Sequence, residues 1–395
     1  MPYSGKLSAI IDIKDRGGKK LTQNVPFNDL SRIPADLRAL LVKKSGEIVV
    51  SGNYILGPEV SQFEIELAEF VGADGAVGVA TGTDAILLAL LAAGVGPSDV
   101  VMTMPNAGAY TTVASRAIGA EPVFVDVSPD TLQMTLYSLR IAISKTKSQG
   151  LKPKVVVVTH LFGQLNSEIT EIVDLAKSEG LVLIEDCAQA IGATNGSKMA
   201  GSFGELATFS FFPTKNLGAA GDAGAITGSN TKMLQIARQL RQYGWASKYS
   251  IEVPFGRNSR LDELQAAILR IKLPHVMTWN QTRRKIYTRY QVASGRNVKF
   301  FSEPNPSYVG HLCPITVEGM TQQDLLEYFA GKAIAASVHF PVPDNHQKIE
   351  LKYRDLVEVP NAEHGCARLV TLPLFPEMTD SEINQVCSAL TELGD

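Results

Sequence analysis

Lys215 lies in the run ATFSFFPTKNLGAAGDAGA, five residues after Ser210 and beside Asn216 and Gly218. Most lysines are solvated surface charges. One attacks an aldehyde only when unprotonated, a state favoured by partial burial and by nearby positive charge. Glu185 and Asp186 close the apolar run LVLIEDC, and Gln189 follows. A carboxylate in that place is a helix cap, a metal ligand, or the partner of a protonated heterocyclic nitrogen, which keeps such a ring an electron sink. The residues alone leave these open. Thr81-Gly82-Thr83-Asp84 follows the apolar run AVGVA and passes directly into a helical stretch. Unpaired backbone N–H groups and the positive end of a helix suit phosphate there, although such a turn also reads as an ordinary N-cap. His160, in THLFGQ, either faces the same place or is a hydrogen-bonded structural histidine, and is assigned no role.

The elements that must position these residues alternate. From about 58 to 230, short β-branched runs at 76–80, 100–105, 121–127, 154–161, 181–187 and 207–213 interleave with helical stretches such as TDAILLALLAAG and SEITEIVDLAKSEG. Most of the runs are apolar throughout, as parallel strands covered on both faces by helices must be. A doubly wound α/β architecture follows, and its ligand lies beyond the carboxyl ends of the strands, where the residues above sit. Before it comes an arm, residues 1–57, with a polar start, VPFNDL, a helix over 34–44, and NYILGPE. A long helical region over 260–290 leads out of a large domain, 58–285, into a smaller mixed C-terminal domain, 286–395.

Composition narrows the classes. Hydrophobic residues make up 45% and charged residues 19% of the 395 residues, values of an ordinary globular protein. With 37 Lys and Arg against 40 Asp and Glu, the formal net charge is -3, and no basic excess points to nucleic acid. Cys187, Cys313, Cys366 and Cys387 are scattered without metal-site or disulfide spacing. No apolar run matches a signal segment or spans a bilayer, so a cytoplasmic protein away from membranes is expected.

Taken together, NYILGPEVSQFE, ATGTDAILLAL, GAEPVFVDV, THLFGQ, IEDCAQAIGA, GSFGELATFSFFPTKNLGAAGDAGA and GRNSRLDELQAAILRIKL resemble, in order and rough spacing, the DegT/DnrJ/StrS sugar aminotransferases. That family is a branch of the fold-type I pyridoxal phosphate enzymes. The resemblance implies a mainly parallel, seven-stranded type of central sheet with flanking helices and a smaller C-terminal α+β domain. It implies that Lys215 holds pyridoxal 5'-phosphate as a Schiff base and then moves the proton between substrate and cofactor carbons. Asp186 is expected to pair with the pyridine nitrogen, Gln189 to lie near the phenolic oxygen, and Gly82, Thr83 and Ser210 to hold the phosphate. Asn258, in the G-x-N run, is expected to reach the cofactor phosphate of a second subunit, which implies a homodimer with shared sites. L-glutamate is the expected donor, leaving pyridoxamine 5'-phosphate, and a keto sugar linked to UDP or dTDP the acceptor, in amino-sugar biosynthesis.

Three departures stand out. The family's ring-stacking aromatic falls on Gly108, and Tyr110 is the substitute nearby. Its GDGGA run reads GDAGA, with Ala223, and its P-x-H histidine falls on Asn345, with His346 next. VPFNDL and VHFPVPDNHQ look more like members that aminate carbon 3 than carbon 4. The alternatives are amination at carbon 4 and a non-catalytic regulatory protein on the same fold; the presence of Lys215, Asp186 and Ser210 argues against the latter.

Overall fold

The computed structural model describes residues 25–393; the polar opening of the arm lies outside them. The central sheet has seven strands: β1 (Gly75–Val79), β2 (Val100–Thr103), β3 (Glu121–Phe124), β4 (Pro153–Thr159), β5 (Val182–Asp186), β6 (Leu206–Ser210) and β7 (Gly224–Gly228). Their order is β1-β7-β6-β5-β4-β2-β3. All lie parallel except β7, which runs antiparallel to both β1 and β6. Val155, Val156, Val157 and Val158 of β4 are fully buried, as the unbroken apolar run requires.

Six strands fall on the runs read from the sequence; β7 does not announce itself there. Its sequence is GAITG, and glycine ordinarily weakens a strand. Both glycines are needed for space. A Cβ on Gly224 would lie 2.4 Å from the Thr81 carbonyl oxygen, and one on Gly228 2.3 Å from that of Glu205. β7 is thus wedged between the β1–helix turn and the start of β6 at a spacing that only bare backbone permits.

Among the helices, α1 (Ala35–Ser51) and α2 (Pro58–Val71) precede the sheet, α3 (Gly82–Ala92) and α4 (Tyr110–Ala117) follow β1 and β2, and α5 (Leu136–Ser148) and α6 (Ile169–Glu179) follow β3 and β4. The arm helix runs seven residues past the expected Lys44, through the polar Lys-Ser-Gly segment. Lys44 there bonds Glu59 of α2 at 2.7 Å, so the extension docks on a neighbour. α3 is buried nearly all round, which explains its continuous run of Ala, Ile and Leu. After β7 come α7 (Thr231–Leu240), α8 (Glu263–Lys272) and α9 (Val276–Ala293), the last two separated by a short turn at Leu273-Pro274-His275. The proline removes a backbone donor and breaks what the sequence reads as one long helical region.

A second core forms around the three-stranded antiparallel sheet β8 (Val298–Phe300), β9 (Cys313–Val317) and β10 (Val370–Leu372). Ile286, Tyr287 and Tyr290 of α9 pack into it with Leu325 and Phe329 of α10 (Gln322–Gly331) and Val386 and Leu390 of α12 (Asp380–Glu392). The helix between them is α11 (Pro360–Arg368). Val25 joins this core through paired backbone bonds, its N–H donating to Ala333 and its carbonyl accepting from Ala335, which ties the arm to the C-terminal layer. Among the described residues no helix is long and apolar enough to cross a membrane.

Candidate active site

Because β1, β4, β5 and β6 share one direction, their carboxyl ends meet along one edge of the sheet. Asp186 ends β5 there, and its carboxylate is buried. It accepts from the Ala188 N–H at 3.0 Å and, at a long 3.4 Å, from the Thr159 hydroxyl at the end of β4. Burial raises its pKa, opposed by the Ala188 N–H, the Lys215 charge, His160 and Thr159. A buried carboxylate so lightly held is suited to a cationic nitrogen placed before it.

Lys215 reaches the same place from the next strand. After β6, residues 211–219 form a tight turn in which the Lys215 N–H bonds the Phe212 carbonyl and the Ala219 N–H that of Phe211. Gly218 closes the turn: a Cβ there would sit 2.3 Å from the Pro213 carbonyl oxygen. Asn216 bolts the turn to the rest of the molecule, donating to Asn280 of α9 at 2.7 Å and to the Val309 carbonyl at 3.0 Å. The Lys215 residue is part-exposed, but its amine is shielded enough that burial brings its pKa down to about 8, with the Asp186 charge pulling the other way. About a quarter of such amines are neutral at pH 7.5, against about one in a thousand for an ordinary lysine.

Gly82 and Ser210 make the third part. Thr81 caps α3 by accepting from the Asp84 N–H at 2.9 Å, so Gly82 and Thr83 begin the helix with their N–H groups turned outward. A Cβ on Gly82 would lie 2.5 Å from the Ser210 Cβ, so the helix start and the end of β6 touch with no side chain between. This is a cradle of backbone donors and a hydroxyl, suited to a phosphate. Its wall includes Gly224, pressed on Thr81; Ala223 is buried beside it, its carbonyl accepting from the Phe211 N–H, so the methyl of GDAGA is accommodated by packing.

Gln189 is buried near this edge with its side-chain oxygen taken by the Phe162 N–H at 2.6 Å, which leaves its amide N–H groups as the free end. Asn258 stands apart, exposed on the strand-like segment that pairs with Gln242, while its neighbour Ser259 bonds Asp84 at 2.8 Å and so faces the α3 N-terminus. His160 is structural. Its Nδ1 accepts from the Asn166 N–H, so its Nε2 donates to Glu185 at 2.9 Å. Glu185 also accepts from the N–H groups of Gly201, Phe203 and Gly204. With its oxygens filled by four donors, the His160, Glu185 and Cys187 group has no open valence for a metal ion.

The C-terminal layer contributes residues that sequence reasoning did not single out. His339 and His311 both lie within reach of the Lys215 charge, which, after burial, lowers their pKa values, that of His339 to about 4. His311 Nδ1 bonds Asn216 at 3.0 Å, and His339 Nδ1 bonds Thr371 at 3.2 Å. Both are neutral imidazoles within the field of the amine. Neither VGHL nor VHFP has a periodicity that marks a site; only the docking of the second core on the first brings them there. Asn345 and His346, by contrast, both turn to Glu363 of α11, at 2.6 Å and 3.0 Å.

Tyr110 opens α4 at this mouth, 46% exposed, with burial of its inner part and then the Asp186 charge raising its pKa. Gly108 has no room for the aromatic expected there: its Cβ would be 2.9 Å from Tyr110 Cε2 and 3.0 Å from Phe340 Cε1.

Residues 36–391 match the DegT/DnrJ/EryC1/StrS aminotransferase family. The chain belongs to this family. It is 37% identical over 376 residues to the pleiotropic regulatory protein of Geobacillus stearothermophilus, covering 93% of this chain and 98% of that one. It is 35% identical over 375 residues to the UDP-N-acetyl-3-dehydro-alpha-D-glucosamine 3-aminotransferase of Acidithiobacillus ferrooxidans, covering 94% and 98%. Its fold matches a crystal structure of a DegT DnrJ EryC1 StrS aminotransferase from Brucella abortus with a TM-score of 0.87 and 31% identity, over 93% of this chain and 98% of that one. The fold-type I architecture read from the sequence is therefore that of an aminotransferase.

Proposed function

We propose that this aminotransferase moves an amino group from L-glutamate to carbon 3 of a nucleotide-linked keto sugar, in the cytoplasm and as a homodimer with shared sites. The observation that carries the reading is the meeting of three parts at one sheet edge: a shielded amine on Lys215, a buried carboxylate on Asp186, and the Gly82–Ser210 cradle. Their order fits pyridoxal 5'-phosphate: the cradle would hold its phosphate, Asp186 its ring nitrogen and Lys215 its carbonyl carbon. When bound, that cofactor supplies an electrophilic carbon and a ring able to accept an electron pair from the substrate carbon.

The chain's own residues do the remainder. With its amine neutral, Lys215 would hold the cofactor through its Nζ, and once freed by the donor amine the same nitrogen would serve as the base and acid that takes up and returns a proton. In the acceptor half of the cycle the same nitrogen runs the transfer backwards, returning a proton to the sugar carbon. Asp186 would hold a positive charge at the ring nitrogen, because its burial makes an unpaired carboxylate costly. The free amide of Gln189 is placed to donate to the phenolic oxygen. Neutral His339 and His311 line the substrate side without adding positive charge that would lower the Lys215 basicity further.

The position aminated is supported by the relative named as acting on a 3-dehydro sugar. Dimerisation is supported by an apolar face on and beyond α1, where Val42, Val49, Val50, Tyr54 and Ile55 are exposed, and by Asn258, which makes no side-chain bond within its own chain among the described residues. The test is an absorption spectrum of the purified protein between about 300 and 500 nm, with and without glutamate, followed by product analysis with UDP- and dTDP-linked 3-keto and 4-keto sugars. A glutamate-dependent loss of the visible band and a 3-amino product are expected. A 4-amino product would overturn the position, and absence of any band after reconstitution would overturn the activity.

A further inference from the structure

Asp344 is a buried carboxyl that the chemistry above does not use, 1% exposed and a few residues beyond His339 in the chain. It sits in a short 3-10 turn, Asp344–His346, laid against α4. Its backbone N–H donates to the Pro105 carbonyl at 2.7 Å, and its Oδ2 accepts from the hydroxyl of Thr112, which is wholly buried. Its Oδ1 is buried with no hydrogen-bond partner. A half-satisfied buried carboxyl is a costly group, and one that an apolar residue would replace without that cost.

What it touches gives a reason for it. α4 begins on two left-handed residues, Gly108 (φ 83°) and Ala109 (φ 63°), and has no side-chain cap of its own. The Asp344 carboxyl lies over that uncapped turn, beside the Ala109 N–H, where the outward N–H groups of a helix start call for an acceptor oxygen. The first residue of the turn is Tyr110. The segment that delivers Asp344 is fixed at its other end by the paired backbone bonds of Ser337 with Thr371 of β10. Between the two anchorages lie His339, within the field of the Lys215 charge, and Phe340, whose ring meets that of Tyr110 edge-on at 6.2 Å. The two rings close over Gly108, which has no side chain to hold them apart.

We propose that Asp344 is a positioning residue that fastens the 337–346 strap of the C-terminal layer to the first turn of α4, so that Tyr110 and Phe340 are held together over the Asp186–Lys215 mouth. The strap then sets two things at once: the place of the Tyr110 ring, which faces the cofactor, and the place of His339 and Phe340, which face the substrate. The pairing is between the two layers, so loosening it frees the strap without opening either core. Burial pushes the carboxyl up to about 7, opposed by the Thr112 hydroxyl and the Ala109 N–H. The titratable side chains facing this corner are Cys366 of α11, whose thiol is pushed up to about 12 by burial and by the charges of Asp344 and Glu363, and Glu363 itself, which bonds Asn345 and His346.

The inference rests on pyridoxal phosphate being the cofactor, and its test separates the two. Wild type, Asp344→Ala, Asp344→Asn and Thr112→Val holoproteins are compared for cofactor dissociation constant, for induced circular dichroism of the bound cofactor, and for the KM of glutamate and of the keto sugar. Asn keeps an acceptor oxygen for Thr112, so Asp344→Asn is expected to match wild type. Asp344→Ala and Thr112→Val are expected to weaken cofactor retention about tenfold, to shrink the induced signal, and to raise KM more than they lower kcat. Should Asp344→Ala fail to fold, Thr112→Val, which removes one hydroxyl at constant shape, decides. Unchanged dichroism and dissociation constant in a folded Thr112→Val protein would overturn the proposal. A wild type that binds the cofactor but aminates no keto sugar would overturn the substrate reading, while the dichroism and affinity series would still judge the strap.

Discussion

Asp186 and Lys215 face one another from the ends of neighbouring parallel strands, and each limits how far burial shifts the other. Desolvation alone would favour a neutral acid and a neutral amine; the charge of each draws its partner back toward ionisation. A cofactor cation in front of Asp186 would take over that pull and leave Lys215 freer to lose its proton.

The acceptor half-reaction needs a neutral Lys215 amine. Its rate, measured by stopped-flow on the pyridoxamine form with a keto sugar, is expected to rise with pH and to level by about 8, since the bound cation takes up the Asp186 charge that otherwise holds the Lys215 pKa up. In Asp186→Asn the charge that raises the Lys215 pKa is gone, so the rise is expected at lower pH, together with a loss of turnover of roughly 100-fold or more. Lys215→Ala is expected to abolish turnover with the fold retained, checked by product assay and thermal melting.

Gly82→Ala places a methyl 2.5 Å from the Ser210 Cβ, at the point where helix and strand touch. The expected outcome is weaker binding of pyridoxal 5'-phosphate by about tenfold or more, while pyridoxal without its phosphate binds with little change. Fluorescence titration with both compounds checks it. Equal loss for both would mean the cradle does not hold the phosphate.

If Asn258 serves the neighbouring subunit, inactive Lys215→Ala and impaired Asn258→Ala chains should complement one another. A mixed dimer contains one site with Lys215 from one chain and Asn258 from the other, both intact. Co-expression with two affinity tags, followed by assay of the doubly tagged species, is expected to recover turnover above either parent. No recovery would place Asn258 in the site of its own chain.

Glu263 is buried at the start of α8 and accepts from the N–H groups of Glu59 and Val60, the otherwise orphaned donors of α2, at 2.9 and 2.8 Å. Gly57 admits it, since a Cβ there would lie 2.7 Å from Glu263 Oε2. Glu263→Ala leaves two buried donors unpaired and is expected to lower stability by about 2–4 kcal/mol, read by urea melting.

The Asp344 carboxyl, raised in the folded protein from an ordinary value near 3.8 to about 7, favours the fold when protonated. That contribution is complete below about pH 4, fades as pH rises toward 7, and is absent above it, a change of about 4 kcal/mol. Asp344→Asn cannot ionise. It is therefore expected to match wild type in thermal melting near pH 4 and to exceed it at pH 8; a constant difference across that range would remove the raised pKa from the account.

Much of this protein could be read in its chain because the signals are local. Unbroken apolar runs bounded by small polar turns mark six of the seven central strands, since a strand covered on both faces can tolerate little else. The rule that a parallel sheet gathers chemistry at one edge pointed to Gly82, Asp186, Gln189, Ser210 and Lys215 but equally to His160, and it was the family resemblance that gave the first five their expected roles. β7 was hidden because its glycines answer to space rather than to strand propensity, and the clearances at Gly224 and Gly228 exist only once Thr81 and Glu205 are in place. The second core had the same effect on function. His311, His339, Phe340 and Asp344 lie roughly 100 to 130 residues beyond Lys215 in the chain, in runs without periodicity, and nothing local ties them to it. The packing of that core on the sheet edge brings them within reach, and it alone decides that Asn345 and His346 turn to Glu363 while Tyr110 closes over Gly108. Local spacing determined which residues could react; long-range packing, which no short stretch encodes, decided what faces them.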